Sequence, residues 1–94
     1  MLKVLVSHQF KRDYKKAVAR GLDVEKLERV ISILREEKEL PPEYKDHRLY
    51  DDRLYRNLRE CHIQPDWLLI YRIIQDNLVL FLFRTGAHRE LLDK

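Results

Sequence analysis

The sequence lacks what several common kinds of functional site require. Its 94 residues include a single cysteine, which excludes an intrachain disulfide and a cluster of cysteine metal ligands. With only two glycines it has no glycine-rich phosphate-binding loop, and it has no motif for an activated serine. Its apolar runs have the length of a β-strand and are too short for a membrane span or a signal-peptide core. We therefore expect a cytoplasmic protein that does not enter a membrane and needs no cofactor.

The composition predicts one small globular domain over residues 1–94. Hydrophobic residues make up 45% of the chain, which is enough for a compact core, and no repeat or linker interrupts the sequence. Charged residues make up 37%, with both signs interspersed, as on the surface of a folded domain.

The net charge of +3 is distributed unevenly along the chain. Residues 8–20 hold one acid, Asp13, and five cations: Lys11, Arg12, Lys15, Lys16 and Arg20. A basic stripe of this kind attracts nucleic acid or an acidic protein, but it is equally typical of a solvated helix face. Charge alone leaves both interpretations open.

Local signals in the first half of the chain predict a strand and two helices. Leu2–Val6 is apolar except for Lys3 and is rich in β-branched residues. Ser7 is a suitable helix N-cap and Gly21 a suitable C-cap, and apolar residues recur between them at helical spacing. Asp23 begins a second amphipathic helix, which ends before Pro41. Both helices must bury their apolar stripes against a sheet.

The second half of the chain has the pattern of antiparallel strands. Its predicted parts are, in chain order, a polar irregular segment over 43–53, an alternating strand over 54–63, a turn at 64–66, a strand over 67–74, a hairpin connection at 75–77, a strand over 78–83, and a short helix or turn over 87–92. We therefore predict an α+β fold with the order β-α-α-β-β-β plus a short terminal helix. A two-helix hairpin packs on one face of a small antiparallel sheet.

Polar side chains are predicted to meet at one end of this sheet. Glu60 and His62 are two residues apart on a strand, so they project from the same face. The next strand begins beside them, after Asp66. The last strand returns to the same edge at Arg84, and His88 follows four residues later. Consecutive hairpins would therefore bring all five residues together.

These residue types suit the cleavage of RNA. A 2′-hydroxyl that attacks the adjacent phosphate must lose a proton, and the leaving 5′-oxygen must gain one. Histidine can serve as acid or base near neutral pH, and arginine binds phosphate oxygens through paired hydrogen bonds. The reaction needs no metal, although two histidines could also hold one.

Each of these residues also has a structural interpretation. A lone histidine is more often a surface residue than a catalyst. Arg84 could form a salt bridge at a strand end, and Asp66 could serve only the turn. Trp67 could anchor the core, as could Cys61, which alternates away from His62 along the strand. The pattern by itself leaves these alternatives open.

Three blocks of sequence resemble the YafQ branch of the RelE toxin superfamily: Tyr44–His47, His62–Tyr71 and Arg84–His88. The resemblance spans nearly the whole chain and implies a RelE-like fold. It implies a toxin of a bacterial type II toxin–antitoxin system that cleaves mRNA in the ribosomal A site. It also implies a toxin–antitoxin hetero-oligomer, whose antitoxin is a small protein with a DNA-binding N-terminal part.

The resemblance assigns roles to single residues, and the basic stripe adds others. The predicted catalytic residues are His47, Glu60, His62, Asp66, Arg84 and His88. The predicted contacts with RNA or the ribosome are Lys11, Arg12, Lys15, Lys16, Arg20, Trp67 and Leu92. No residue is predicted to bind a metal.

The chain departs from the family pattern at three places. Glu60 stands where an aspartate is usual, and Leu92 stands where an aromatic residue is usual. Asn57 lies near a position that is typically glycine.

Two other functions stay open beside the nuclease. One is a toxin of the same fold that poisons DNA gyrase, as in the ParE branch, and the other is a binding module. The histidines favour the nuclease, because a gyrase poison has no use for three of them beside an arginine.

Overall fold

The computed structural model describes residues 1–49 and 57–92. Its helices and strands are β1 (Lys3–Val6), α1 (His8–Ala19), α2 (Val24–Arg35), β2 (His47–Arg48), β3 (Arg59–Gln64), β4 (Trp67–Ile74), β5 (Val79–Gly86) and α3 (His88–Leu92). The predicted α+β class and the predicted helical hairpin are confirmed. Within these described stretches, no helix combines the length and the apolarity needed to cross a membrane.

The two long helices begin where their capping residues predict. The Ser7 side chain accepts a hydrogen bond from the Phe10 backbone N–H at 2.9 Å. Asp23 does the same for Glu25 at 3.1 Å. Gly21 follows the last turn of α1 with φ 76°, a left-handed conformation that glycine adopts without strain. Local chemistry therefore determines both ends of α1 and the start of α2.

The sheet has five strands in the order β1-β5-β4-β3-β2. β2, β3, β4 and β5 pair antiparallel, as predicted, but β1 pairs parallel with β5. The prediction of a purely antiparallel sheet is therefore wrong at one edge, because an apolar run identifies a strand without giving its direction. β2 was also not predicted, since two residues are too few to show an alternating pattern.

Left-handed backbone conformations set two strand boundaries. The strand predicted over 54–63 begins later, at Arg59, because Asn57 has φ 65° and interrupts the extended chain. Asparagine tolerates this conformation better than most residues. Leu78 has φ 54°, so β5 begins one residue later than predicted. Positions 54–56 lie outside the described residues.

Two apolar clusters lie on opposite faces of the sheet. The larger one joins the helices to the sheet and contains Phe10, Ala17, Leu27, Val30, Leu34, Leu69, Tyr71, Leu80 and Leu82, among others. The smaller one lies on the other face and contains Leu58, Leu68, Ile70 and Leu91. Burying one leucine contributes roughly 1.5–3 kcal/mol, so the larger cluster supplies most of the stability. The second face of the sheet buries fewer apolar side chains, and it carries the polar residues of the candidate site.

Candidate active site

A carboxylate lies between two histidines on the face of the sheet opposite α1 and α2. His47 of β2 is the register partner of Glu60 of β3, and His62 lies two residues further along β3. Glu60 Oε1 is 3.5 Å from His47 Nε2 and 3.4 Å from His62 Nε2. The two imidazole rings are 6.4 Å apart. The structure therefore brings these three predicted residues into direct contact, and we call them the histidine–glutamate cluster.

Glu60 is the buried member of this cluster. Its side chain is 4% exposed, whereas those of His62 and His47 are 24% and 50% exposed. The second carboxylate oxygen, Oε2, is buried and finds no hydrogen-bond partner among the described residues. Leaving such an oxygen unpaired costs about 1–3 kcal/mol or more, so folding alone does not explain it. Residues of this kind are characteristic of functional sites.

The hydrogen bonds of His47 define where its protons lie. Its Nδ1 is 2.7 Å from the Lys45 carbonyl oxygen, which can only accept, so Nδ1 carries a proton. The contact between Nε2 and Glu60 Oε1 is then attractive only when one of those two atoms is also protonated. His62 Nε2 reaches the same oxygen. Glu60 Oε1 therefore faces one ring nitrogen of each histidine.

Arg84 lies in the same row of the sheet as this cluster. Glu60 pairs with Ile70, and Ile70 pairs with Arg84, which places the Glu60 and Arg84 backbones about 10 Å apart. The guanidinium is held by Asp13 of α1 through Nε at 3.0 Å and Nη2 at 3.1 Å. Asp13 also accepts from the Thr85 backbone N–H at 3.1 Å. The predicted two-bond contact of Arg84 with a phosphate would need other edges of the guanidinium or the release of Asp13.

Asp66 and His88 meet at the junction between the β3–β4 turn and α3. Asp66 Oδ1 accepts a hydrogen bond from the His88 backbone N–H at 3.3 Å. α3 is tied to α1 by Glu90, which pairs with Arg20 at 3.0 Å. Hydrogen bonds from Arg20 and from the Ala87 backbone lower the pKa of Glu90. These contacts hold the His88 backbone beside the β3–β4 turn, and the meeting of its side chain with the histidine–glutamate cluster stays a prediction.

The predicted RNA contact of Trp67 is contradicted by its burial. The side chain is only 3% exposed, and its indole N–H donates to Thr85 Oγ1 at 2.9 Å. Its ring belongs to the larger apolar cluster, so it has no face open to a base. Leu92 is half-buried against the smaller cluster. The core interpretation of Trp67 is the correct one.

The basic stripe of α1 is divided between two environments. Arg20 and Lys16 both reach Glu90, at 3.0 and 3.8 Å, and so help to hold α3. Lys11, Arg12 and Lys15 are exposed on the helix surface. The stripe therefore combines a structural contact with an exposed cationic surface.

Sequence reasoning missed the acids that hold this site together. Asp13 was noted only as the one acid within the basic stripe, and its isolation among cations was the available signal. Asp46 accepts hydrogen bonds from the Tyr71 hydroxyl and, at 3.3 and 2.9 Å, from Arg59 Nε and Nη2. Its position next to His47 was the corresponding signal. Both acids pair with residues far away in the chain.

Cys61 is a core residue, as its alternation with His62 predicted. Its side chain is fully buried in the larger apolar cluster. Burial raises the pKa of the Cys61 thiol far above its usual range, so the thiol stays protonated. It is therefore neither a nucleophile nor a metal ligand.

A basic groove leads away from His62. It has a volume of about 380 Å³ and lies between α2 and the segment before β2. Its cations, Lys26, Arg29 and Lys45, outnumber its one acid, Glu43, and the half-buried ring of Tyr44 also lines it. We call it the α2 groove, and its size and charge fit a phosphate-linked ligand.

Within residues 1–49 and 57–92, no three side chains of the metal-binding types are arranged to hold a metal ion. His47, Glu60 and His62 have suitable donor atoms, and a ring nitrogen of each histidine lies 3.5 or 3.4 Å from Glu60 Oε1.

This mixed sheet, with a helical hairpin on one face and a histidine–glutamate cluster on the other, defines a small α+β protein with one candidate catalytic site on the face away from its long helices. Residues 2–93 match the family described as "Bacterial toxin of type II toxin-antitoxin system, YafQ". The chain belongs to this family, and the predicted YafQ-like membership is confirmed.

Known relatives agree with this membership in sequence and in fold. The chain is 40% identical to "mRNA interferase toxin YafQ" of Escherichia coli BL21-DE3, over 90% of this chain and 89% of that protein. It resembles the crystal structure of a metal-bound toxin from Helicobacter pylori with a TM-score of 0.90 and 42% identity, covering 97% of this chain and 99% of that one. It also resembles the toxin in the E. coli DinJ–YafQ complex, with a TM-score of 0.84 and 35% identity, over 97% of this chain and 98% of that one.

Proposed function

We propose that this toxin is an endoribonuclease that cleaves mRNA in the ribosomal A site, and that the histidine–glutamate cluster moves the protons. The observation that carries the proposal is the position of buried Glu60 between His47 and His62. The names of the curated relatives as mRNA interferases support the same activity. Action on the ribosome would take place in the cytoplasm.

The cleavage step requires one proton to leave and one to arrive. The 2′-oxygen forms a bond to the adjacent phosphorus, and a basic imidazole takes its proton. The bond from phosphorus to the 5′-oxygen breaks, and a protonated imidazole supplies the proton that this oxygen needs. The products are a 2′,3′-cyclic phosphate and a 5′-hydroxyl. We assign proton transfer to His62 and His88, with His47 supporting through Glu60.

Arg84 and Asp66 act around these histidines. Arg84 stabilises the negative charge that develops on the phosphorane oxygens, through edges of the guanidinium other than the Nε–Nη2 edge that Asp13 holds. Asp66 holds the start of α3 and with it His88.

We further propose a cognate antitoxin as the partner of this chain. One structural relative is a DinJ–YafQ toxin–antitoxin complex. The exposed cations of α1 would attract an acidic segment of such a partner, because opposite charges speed encounter and align the two surfaces.

Chelation of metal ions is expected to leave the cleavage rate unchanged. The acid, the base and the cation that the reaction needs are all side chains of this protein, so no Lewis acid is required. The test is to dialyse the toxin against EDTA and to map cuts in mRNA on programmed ribosomes by primer extension. Activity that disappears on dialysis and returns with one added metal would contradict the metal-independent mechanism. Toxin before and after dialysis should be compared directly, because one structural relative is a metal-bound toxin.

The α2 groove is expected to bind the RNA strand that reaches His62. Replacing Lys26 and Arg29 together with glutamine should raise KM and leave kcat unchanged, since both residues lie outside the cluster. Each phosphate contact on a single strand contributes about 0.7 to the salt dependence of log K, so the slope should fall by about 1.4.

Binding for this prediction is measured by fluorescence anisotropy across a salt series. The probe is a 2′-O-methyl RNA, which lacks the attacking hydroxyl and stays intact. The charge-matched control replaces Lys3 and Lys38, which lie away from the groove. If the salt dependence of log K falls equally in both double variants, RNA binding depends only on the total charge of the protein.

A further inference from the structure

The strand that carries His47 has little support from backbone pairing. β2 contains only His47 and Arg48, which pair with Glu60 and Arg59 at the edge of the sheet. Both residues of β2 are exposed. A two-residue edge strand is too short to determine by itself where the imidazole of His47 lies.

Side-chain contacts of the preceding residue supply the missing support. Asp46 accepts from the Tyr71 hydroxyl and from two nitrogens of Arg59, at 3.3 and 2.9 Å. Tyr71 is only 1% exposed and belongs to the rigid core between helices and sheet. Burial and the bond to Asp46 raise the pKa of the Tyr71 hydroxyl, so it stays a donor. The Asp46 carboxylate is thus anchored to β3 and β4 at once.

Asp46 and His47 lie on opposite faces of the sheet. Successive residues in an extended chain point to opposite sides. Tyr71 belongs to the apolar cluster on the helix side. Glu60 and His62 alternate with Cys61, which is part of that same cluster, so they face the other side. The hydrogen bonds of Asp46 on the helix side of the sheet therefore fix the orientation of the backbone at residues 46–47. That orientation places the His47 side chain on the opposite side.

The residue before Asp46 completes the arrangement. Lys45 has a left-handed conformation, φ 49° and ψ 42°, which is unfavourable for a residue with a side chain. This conformation directs the Lys45 carbonyl to His47 Nδ1 at 2.7 Å. The same short segment therefore orients the ring and keeps a proton on Nδ1.

We propose that Asp46 is a positioning residue, which, through Tyr71 and Arg59, holds the ring of His47 against Glu60. The inference rests on the proposed function, because it gives the reason why the position of His47 matters. In this role Asp46 acts only through His47.

Asp46→Asn is expected to lower kcat about 10- to 100-fold with KM unchanged. Small displacements of a catalytic group have effects of this size, while the α2 groove is untouched. Tyr71→Phe, which removes one of the three hydrogen bonds, should show a smaller loss in the same direction. The matched control is Tyr14→Phe, which removes a hydroxyl that bonds Glu28 on the helix side of the molecule.

A double-mutant cycle separates positioning from a general structural role. In a His47→Ala background the ring is gone, so Asp46→Asn should cause no further loss of rate. Melting temperatures of all variants show whether each remains folded under the assay conditions. An equal loss of rate in the wild-type and His47→Ala backgrounds, or no loss in either, would overturn the proposal.

The position of His47 can also be measured without any cleavage. In ¹⁵N-edited spectra of the imidazoles, the wild-type protein should show Nδ1 of His47 protonated and its ring close to that of His62. Asp46→Asn should abolish both signatures, and Tyr14→Phe should keep them. Unchanged signatures in Asp46→Asn would refute the positioning role. If the signatures change but the wild-type protein leaves RNA intact, the proposed function fails and the positioning role stands.

Discussion

Replacing His62 with alanine is expected to slow mRNA cleavage by about 10²–10⁴-fold, the usual loss when one proton-transfer group is removed. His62 touches Glu60 and lines the α2 groove, so it lies where the proposed proton transfer and the proposed path of the RNA meet. Its side chain is 24% exposed and belongs to neither apolar cluster, so the variant should fold normally.

The measurement is single-turnover cleavage of mRNA on programmed ribosomes, followed by primer extension. His8→Ala is the control, because His8 is an exposed histidine at the start of α1, outside the cluster. The control should cleave at the wild-type rate. A folded His62→Ala protein with the wild-type rate would remove His62 from the mechanism.

Replacing Asp13 with alanine is expected to destabilise the fold by about 3–5 kcal/mol, as is typical when one partner of a buried ion pair is removed. The Asp13 and Arg84 side chains are 4% and 22% exposed, so water cannot fully replace the lost bonds. The buried N–H of Thr85 loses its acceptor as well. The effect should exceed that of any substitution on the exposed face of α1.

Chemical unfolding in urea measures this change, with the slope of the transition compared between variants. Asp76→Ala is the control, since Asp76 is exposed in the turn before β5. The loss of stability in Asp13→Asn should lie between those of Asp76→Ala and Asp13→Ala, because asparagine keeps a hydrogen-bond acceptor but lacks the negative charge. A loss below about 1 kcal/mol for Asp13→Ala would mean that Arg84 and Thr85 find other partners.

The parts of the structure that follow from local signals were predictable from sequence. Ser7 and Asp23 mark helix starts because a capping side chain acts within three residues of its own position. Glu60 and His62 share a face because side chains alternate along any strand. The order of helices and strands follows from the same short-range rules.

The parts that depend on distant pairs were not predictable. Asp13 meets Arg84 across 71 positions of the chain, and Asp46 meets Tyr71 across 25. No local sequence pattern indicates such long-range pairs. Asp13 was therefore interpreted only as one acid within a basic stripe. The parallel direction of β1 was missed for the same reason, and the core position of Trp67 was left as one of two alternatives. The catalytic roles of the cluster residues stay predictions.

The last residues of β5 extend beyond β1, so their backbone groups on that side have no neighbouring strand among the described residues. β1 ends at Val6, and from there the start of the first helix takes over as the neighbour of β5. The Ser7 backbone N–H donates to the Leu82 carbonyl, the Ser7 hydroxyl to the Phe83 carbonyl, and Asp13 accepts from Thr85. Backbone groups that would otherwise recruit a strand from a second molecule are thereby occupied. The part of β5 that extends beyond β1 is therefore closed to pairing with a strand of another molecule.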